Sequence, residues 1–272
     1  MADIYNPKNI VQSLAKGFRI LEVFDANNLE MTLTEIADRA ALDAGTVFRI
    51  VNTLLMLGYL ERGDGKKRYR LTLKVLDLGF HAIGRRDLRD LVRPYLRSLV
   101  GEVSEAASLC VLDGSDVVYM ERVHAGLVRL GVDIQIGSRI PAYYTAIGHS
   151  ILAHLPPSEV KRILNMRERV KLTPLTTTTP EEIEQRLEFV RKYGYALSDQ
   201  DSAPMLRIIA APVMDADNHP LAAISVAAPS IHMRVEQFVE KAAEPILRAA
   251  EEIGRALSIS GSAAMSIESA FR

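Results

Sequence analysis

Three short segments of helical periodicity, set close together near the start, restrict the fold of this chain more than any other feature. Apolar residues recur every three or four positions over 13–24, 34–40 and 46–57. We expect the hydroxyls of Ser13 and Thr34 to cap the first two helices. The third helix should begin at Thr46 and end at Gly58. Because the connections are short, the three helices should pack into one compact unit.

The third helix has a polar face without acidic residues. The apolar side, expected to be buried, consists of Val47, Ile50, Val51, Leu54 and Leu57. The opposite side carries Thr46, Arg49, Asn52 and Thr53. A surface helix with a purely structural role more often pairs Glu with Lys four positions apart. A face of Arg, Asn and Thr suits contact with a polyanion.

A basic hairpin follows the third helix. Residues 59–62 and 68–71 alternate like two strands around a turn rich in Gly and Asp. Seven residues between 46 and 74 are Lys or Arg and two are acidic, whereas the whole chain has a net charge of −1. Charge alone would fit a solvated surface equally well. Together with the helices, the hairpin predicts a winged helix-turn-helix that binds double-stranded DNA.

The predicted DNA contacts follow from position on these elements. Thr34 and Thr46 are placed to touch phosphates. The residues placed to read base edges are Arg49, Asn52 and Thr53. The wing residues expected to hold the flanking backbone are Arg62, Lys66, Lys67 and Arg68.

The rest of the chain mixes helices and strands, so the predicted fold class is α+β with a C-terminal antiparallel sheet and flanking helices. Strands are expected over 106–112, 117–123, 127–134, 206–214 and 221–227. Helices are expected over 145–153, 158–165, 180–193 and 235–257.

The domain boundaries follow from this pattern. The predicted divisions are a DNA-binding domain at 10–74, a linker helix at 75–104, a second domain at 105–258 and a disordered tail at 259–272. Pro94 should kink or restart the linker helix. That segment could join two subunits or pack on its own domain.

The sequence lacks the complete form of the common catalytic motifs. Gly58 and Gly63 have the spacing of a phosphate loop, but Asp64 occupies the place where Lys is required. Ser150 lacks the second glycine of a nucleophile elbow. Asp199 and Asp201 have no recognisable partner for acid/base work, so we interpret them as loop or strand-end acids. We therefore expect no catalytic residue, no cofactor and no enzyme.

The histidines form no recognisable metal motif. His149 and His154 are five residues apart, which puts them on different faces of a helix, and no Glu follows His149. We interpret both as ordinary helix residues and predict no metal. Spacing alone leaves open a site assembled from the scattered histidines, His81, His124, His219 and His232.

Composition favours a cytoplasmic protein without a membrane partner. Hydrophobic residues make up 48% of the chain and charged residues 25%, which is typical of a globular protein. The single cysteine, Cys110, cannot form an internal disulfide. The first 16 residues lack a secretory signal, and no apolar run reaches the roughly 18 residues of a membrane helix.

Six short motifs occur in order along the chain. They are S-L-A-K-G at 13–17, L-T-E-I-A at 33–37, G-Y-L at 58–60, G-S-R-I-P-A at 137–142, G-Y-A at 194–196 and A-A-I-S at 222–225. Over about residues 10–258 the chain therefore resembles the IclR family of bacterial transcriptional regulators. The resemblance implies a winged helix-turn-helix, a linker helix and a GAF-like effector-binding domain. It also implies assembly as a homodimer or a dimer of dimers, which fits a palindromic operator.

The resemblance implies an effector site in the second domain. The matching positions are Arg129, Val132, Ile140, Ala146, Ile147, Ser198, Ile208, Ser225 and Ala227. The N–H groups of Ala146 and Ile147 could meet a carboxylate, and Arg129 could pair with it. Ala227 stands where the family often has a second Ser, which disfavours a two- or three-carbon acid. Residues 137–145 resemble the branch that senses aromatic acids and their ring-cleavage products, so a small organic acid of this kind is expected.

We favour a transcriptional regulator over two alternatives. An enzyme whose N-terminal helices dock a partner would show turnover by residues 90–258 alone. An architectural DNA-binding protein would use its C-terminal half only to oligomerise, and no acid would raise its melting temperature.

Overall fold

The structure is a computed structural model that describes residues 10–25, 27–63, 67–82, 86–101, 104–125 and 134–259. At 79–82, 86–88 and 259 the description covers the backbone alone. The chain forms two compact units, Met1–Gly84 and Arg85–Arg272. Both contain helices and an antiparallel sheet, which confirms the predicted α+β class.

The first unit is a winged helix-turn-helix. Its elements are α1 (Gln12–Glu22), β1 (Met31–Thr32), α2 (Leu33–Ala40), α3 (Ala44–Met56), β2 (Leu60–Arg62), β3 (Arg68–Leu71) and α4 (Lys74–Ala82). The strands form an antiparallel sheet in the order β1–β3–β2. Ile20, Ile36 and Val47, one from each of the first three helices, are fully buried in one cluster. The predicted order of three helices and a hairpin is confirmed.

Two helix starts differ from those expected. α1 begins one residue before Ser13 and has no side-chain cap, so Ser13 is not the cap. α3 begins at Ala44, two residues before Thr46. The cap of α3 is Asp43, whose carboxylate accepts a hydrogen bond from the Thr46 N–H at 2.9 Å. A carboxylate at the helix start satisfies an unpaired N–H and faces the positive end of the helix dipole.

The cap of α2 also differs from the expectation. Thr32, and not Thr34, is the capping residue. Its hydroxyl accepts a hydrogen bond from the Glu35 N–H at 3.3 Å, and the Glu35 carboxylate accepts one from the Thr32 N–H at 2.7 Å. Such a reciprocal capping box needs Glu or Gln three residues after the cap, and only Thr32 has that spacing to Glu35.

The second unit is built on an antiparallel sheet. Its elements are α5 (Arg86–Ser98), β4 (Ala106–Asp113), β5 (Asp116–His124), β6 (Arg139–Pro141), α6 (Ala146–Leu152), α7 (Pro157–Leu164), α8 (Pro180–Tyr193), β7 (Ala196–Asp199), β8 (Leu206–Met214), β9 (Pro220–Pro229) and α9 (Val235–Ile259). The described strands follow the order β6–β5–β4–β9–β8–β7. A central sheet with flanking helices confirms the predicted architecture.

Each face of this sheet is covered by its own helices. On one face Leu109 and Ile209 are buried in a cluster with Phe238 of α9. On the other face Cys110 and the alternate residues of β8 and β9 belong to a cluster with Ile147 of α6. We call this second surface of the sheet the α6 face. Alternation along each strand decides which side chains lie on it.

α5 packs on the sheet of its own unit. Its residues Val92 and Leu96 and the following Leu99 are buried in the cluster formed with α9. The helix continues through Pro94, where we expected a kink or a new start. Burial of this apolar side offsets the backbone hydrogen bond that proline cannot donate. For α5, the described packing is therefore on its own domain.

Three strands were not expected from the sequence. They are β1, β6 and β7, each of four residues or fewer, which is too short for alternation to be recognised. The strand expected over 127–134 lies outside the described residues except for Ile134. α9 extends to Ile259, and the remainder of the expected tail also lies outside them.

Candidate DNA interface and effector site

The polar face of α3 is free to meet a partner. Arg49 and Thr53 are exposed, and Thr46 and Asn52 are half-buried. α3 contains no acidic residue, and within the described part of the chain Arg49 forms no hydrogen bond or ion pair through its side chain. The nearest acid in sequence, Asp43, is engaged as the helix cap, and hydrogen bonds from Thr46 lower its pKa. The exposed charge of α3 is therefore positive.

Thr53 can offer a partner only part of its hydrogen-bonding capacity. Its hydroxyl donates to the main-chain oxygen of Arg49 at 3.0 Å. The oxygen lone pairs are left to accept. Among base edges in the major groove, adenine N6 and cytosine N4 are the donors that match.

A tight turn fixes α2 against α3. Ala41 has a φ of 49°, in the left-handed region. Its N–H donates to Asp38 O at 3.3 Å, and the next N–H, of Leu42, donates to Ala37 O at 3.0 Å. Together these bonds form a Schellman motif, in which glycine is the usual left-handed residue. Gly58, with a φ of 77°, has that role after α3, as the sequence predicts.

The wing presents exposed cations beside this pair of helices. Arg62 ends β2 and Lys67 precedes β3, and both are exposed. No described residue forms an ion pair with either of them. Lys66 lies outside the described residues. The wing therefore offers at least two cations to a phosphate backbone.

Two further wing arginines are held within the unit. Arg68 donates to the main-chain oxygen of Glu30 at 2.9 Å and lies 3.8 Å from the Glu35 carboxylate. Arg70 lies between Glu61 and Glu30, at 2.7 and 3.2 Å. Hydrogen bonding to Glu61 is the main cause of the raised pKa of Arg70. These contacts fix the wing to α2, so Arg68 is less free to reach a phosphate than sequence reasoning assumed.

In the second unit, several expected effector positions meet on the α6 face. Ser198, Ile208 and Ala227 are direct neighbours on β7, β8 and β9. Ser225, two residues before Ala227, lies on the same face. Ser198 is buried, and its Oγ has no well-aligned hydrogen bond among the described residues, although the Asp201 carboxylate lies close enough to interact with it. A buried hydroxyl that is poorly satisfied costs free energy, which makes Ser198 a candidate ligand contact.

The other expected effector positions lie around this patch or outside the described part. Ile140 is on β6 and packs against the same cluster, half-buried. Ala146 and Ile147 form the start of α6 and are buried. Arg129 and Val132 lie outside the described residues, so their expected roles stay predictions.

A glycine fixes the start of α6. The Thr145 hydroxyl accepts a hydrogen bond from the Gly148 N–H at 3.0 Å. A Cβ at Gly148 would lie 2.0 Å from the main-chain oxygen of Ala142, which is far inside van der Waals contact. Only glycine permits this approach, so the first turn of α6 has a fixed position above the end of β6.

Sequence reasoning missed a polar pair on the α6 face. Arg122 of β5 and Ser108 of β4 are direct cross-strand neighbours, and Ser108 is in turn the neighbour of Ser225 on β9. Arg122 Nη1 donates to Ser108 Oγ at 3.0 Å. Arg122 is half-buried and Ser108 is buried.

A β-bulge explains why Arg122 escaped prediction. Tyr119 pairs with Cys110, but the next pair along the strands is Glu121 with Leu109, so one extra residue, Met120, is inserted in β5. Strict alternation from Tyr119 would put Glu121 on the α6 face and Arg122 on the other side. The bulge exchanges them.

The side chains of Ser150 and His149 are buried and hydrogen-bonded to main-chain oxygens, as expected of residues with a structural role. The Ser150 hydroxyl is buried and donates to the main-chain oxygen of Ile147 at 2.8 Å. The His149 Nε2–H donates to Tyr143 O at 2.7 Å. His149 is buried, and this burial lowers its pKa to about 4.

One group of possible metal ligands occurs among the described residues. Asp215, Asp217 and His219 lie together in the turn between β8 and β9. The Asp215 carboxylate accepts hydrogen bonds from the main-chain N–H groups of Asp217 and His219 at 2.9 and 2.8 Å. These bonds are those of an ordinary Asx turn.

The fold and its surfaces define a class of protein. A winged helix-turn-helix with a cationic, acid-free third helix, followed by a separate sheet unit, is typical of DNA-binding regulators. The model of the IclR helix-turn-helix domain matches residues 13–64, and that of the bacterial transcriptional regulator IclR C-terminal domain matches residues 80–255. The chain belongs to the IclR family, as the sequence motifs indicated. It is a DNA-binding transcriptional regulator and not an enzyme.

Individual relatives agree with this assignment. The HTH-type transcriptional regulator KdgR of Escherichia coli (strain K12) is 32% identical over 239 residues, 88% of this chain and 90% of its own. The crystal structure of RHA06195 from Rhodococcus sp. RHA1 is 32% identical, with a TM-score of 0.81 over 92% of this chain and 100% of that one. An IclR homologue from Microbacterium hydrocarbonoxydans, crystallised with 4-hydroxybenzoate, is 27% identical, with a TM-score of 0.76 over 90% and 99%.

Among the described residues, no helix combines the length and the apolar character needed to cross a bilayer.

Proposed function

We propose that this regulator binds a palindromic operator, and that a small organic acid held on the α6 face changes its affinity for that operator. The observation that carries the proposal is the exposed face of α3, which contains Arg49 and no acid. α3 is the second helix of the helix-turn-helix formed with α2. In the proposed complex it lies in the major groove, as the second helix of this motif does in other DNA-binding proteins. A protein that acts on chromosomal DNA in this way is cytoplasmic.

The proposed contacts divide by role. Arg49, Asn52 and Thr53 read base edges, and Thr34 and Thr46 touch phosphates near the two helix starts. Arg62, Lys66 and Lys67 hold the backbone beside the groove. Arg68 joins them on the same side of the unit, although its contacts to α2 limit its reach.

A symmetric pair of these units would match a palindrome. Leu14 and Phe18 of α1 and Val11, the residue before the helix, form an exposed apolar stripe with spacings of three and four residues. Exposed apolar stripes are typical of protein contacts, and a second copy of the chain would cover this one. This supports assembly as a homodimer or a dimer of dimers.

The proposed effector site uses the α6 face. Its residues would be Arg129, Val132, Ile140, Ala146, Ile147, Ser198, Ile208, Ser225 and Ala227. The homologue crystallised with 4-hydroxybenzoate supports an acid as the ligand class. An aromatic acid or one of its ring-cleavage products suits a surface that is mostly apolar and carries few hydroxyls.

The DNA proposal is tested by replacing Arg49. We expect Arg49→Ala to weaken binding to the operator by about 1 to 3 kcal/mol, since a bidentate contact to guanine would be lost. Footprinting on DNA around the gene of this protein locates the operator, and gel shifts on that fragment at fixed salt measure the affinity.

Arg19→Ala is the matched control. Arg19 is an exposed arginine on α1, and its loss removes the same charge without touching α3. Equal effects of the two substitutions would mean that only overall charge matters. If Arg49→Ala binds the operator with unchanged affinity, the proposal that α3 lies in the major groove is wrong.

A further inference from the structure

Among the described residues, Arg122 has no charged partner for its guanidinium. Its guanidinium is half-buried on the α6 face, and its only side-chain hydrogen bond to a described residue is the one to Ser108. Four other arginines of the second unit each contact a carboxylate, with N–O distances of 2.7 to 3.2 Å; they are Arg89, Arg139, Arg186 and Arg207. Arg122 differs from these four because it forms no ion pair with a described residue. Arg169 also lacks a carboxylate partner among the described residues, but its guanidinium is held by two main-chain oxygens.

The adjacent acid does not supply that charge. The Glu121 carboxylate lies on the opposite face, where it forms an ion pair with Arg89 at 2.8 Å. Its second oxygen accepts the main-chain N–H of Arg122 at 3.0 Å, so neither oxygen of Glu121 pairs with the Arg122 guanidinium. Removing a charge from water without pairing it is costly, so a fold keeps such a group where an anion can reach it.

Two of the described groups that interact with the charge of Arg122 are neutral. Burial raises the pKa of the Cys110 thiol and of the Tyr119 hydroxyl well above their usual values, so neither carries a negative charge at neutral pH. Neither can replace an anionic ligand as the partner of Arg122.

Ser108 and Ser225 extend the polar patch away from Arg122. The three residues are successive cross-strand neighbours on β5, β4 and β9, and Ser225 is one of the expected effector positions. Neighbouring strands are about 4.8 Å apart, so two hydroxyls and a guanidinium fall within the span of a small ligand. Beyond them, Ala223 and Ala227 give the surface an apolar surround.

We propose that Arg122, with Ser108 and Ser225, binds the carboxylate of the effector. The ligand class is then an acid with one ionised carboxylate on an apolar body. A guanidinium can hold a carboxylate through two parallel N–H donors, and a serine hydroxyl can add a third. This inference rests on the proposed function, namely that the second unit binds an organic acid.

The test compares acids with their uncharged amides on the full chain. Calorimetric titrations use 4-hydroxybenzoate, benzoate and adipate, each beside the corresponding amide. We expect at least one acid to bind the wild type more tightly than its amide does. Arg122→Gln should weaken that acid about 10- to 100-fold and remove its advantage over the amide. Arg122→Lys keeps the charge but loses the planar arrangement of N–H donors, so its affinity for the acid should lie between those of the wild type and Arg122→Gln.

Arg139→Gln is the matched control, because Arg139 is a partly exposed arginine on the adjacent strand and is paired with Asp113 at 2.7 Å. It should leave the affinity for the acid unchanged. Should Arg122→Gln fail to fold, a several-fold loss of acid preference in Arg122→Lys supports the inference and full retention contradicts it. If Arg122→Gln folds and keeps the acid preference, the inference is wrong, while the proposed function stands wherever the acid still shifts operator binding. If none of the acids binds the wild type, both are wrong.

Discussion

The fold controls the protonation state of His149. It is 2% exposed, in the first turns of α6, and its ring N–H is used by Tyr143 O. Burial lowers its pKa to about 4; the hydrogen bond to Tyr143 opposes that change and the charge of Arg186 adds to it. The ring is therefore neutral throughout the physiological range, and α6 is built around an uncharged imidazole.

This burial predicts acid sensitivity of the second unit. Between pH 6.5 and about 4, the unfolded chain binds a proton at this position that the folded chain does not. Stability should therefore fall as the pH is lowered through that window, by about 3 kcal/mol once the pH is below the folded value. Urea unfolding at a series of pH values measures it. In His149→Gln, which keeps an N–H donor but cannot titrate, the slope should be smaller, and parallel curves would contradict the explanation.

Caps and turns determine where the helices of the DNA-binding unit begin and end. Thr32 and Asp43 start α2 and α3, and left-handed residues end both helices, Ala41 after α2 and Gly58 after α3. The angle between the two helices follows from a connection of only three residues. One of these three, Ala41, is in a conformation that glycine adopts at lower cost.

Ala41→Gly should therefore stabilise the protein. The relief of left-handed strain exceeds the extra entropy that glycine gives the unfolded chain, so we expect a gain of about 0.5 to 1 kcal/mol. Thermal or urea unfolding measures the change. Ala40→Gly, one position earlier and inside the helix, should destabilise by about 1 kcal/mol and serves as the control. A loss of stability in both variants would show that Ala41 is not strained.

The whole molecule combines a DNA-binding unit and a ligand-binding unit on one chain. The cationic α3 and wing belong to the first, and Arg122, Ser198 and Ser225 belong to the second. An acid on the α6 face and an operator on α3 therefore occupy different surfaces. The acid and the operator can therefore affect each other's binding only through a coupling free energy. Because this free energy is finite, the acid can change the operator Kd only up to a limit.

The limit can be measured. We expect an acid that binds the second unit to change the operator Kd by about 5- to 150-fold, with the change levelling off once the acid site is full. An acid that competed with DNA for α3 would instead weaken binding further with every increase in its concentration. Gel shifts at fixed salt over a wide range of acid concentrations distinguish the two. Absence of any change, with the acid bound, would favour an architectural protein.

Much of this arrangement is predictable from the sequence, and the exceptions have physical causes. The three helices and the wing follow from periodicity, because each apolar side belongs to one core. Periodicity predicts Thr34 as a cap because its hydroxyl precedes the apolar face, whereas the reciprocal bond with Glu35 selects Thr32. Arg122 could not be placed, since the sequence gives no sign of the bulge in β5 that sets its side of the sheet.

That irregularity also governs which ligand charge the surface tolerates. If β5 kept Met120 but lost the bulge, Glu121 would lie opposite Ser108 on the α6 face and Arg122 would move to the far side. The same residues would then repel acids and attract amines. Deletion of Met120 would instead leave both side chains where they are, so the sign of the charge that the effector meets depends on this one extra residue being accommodated as a bulge.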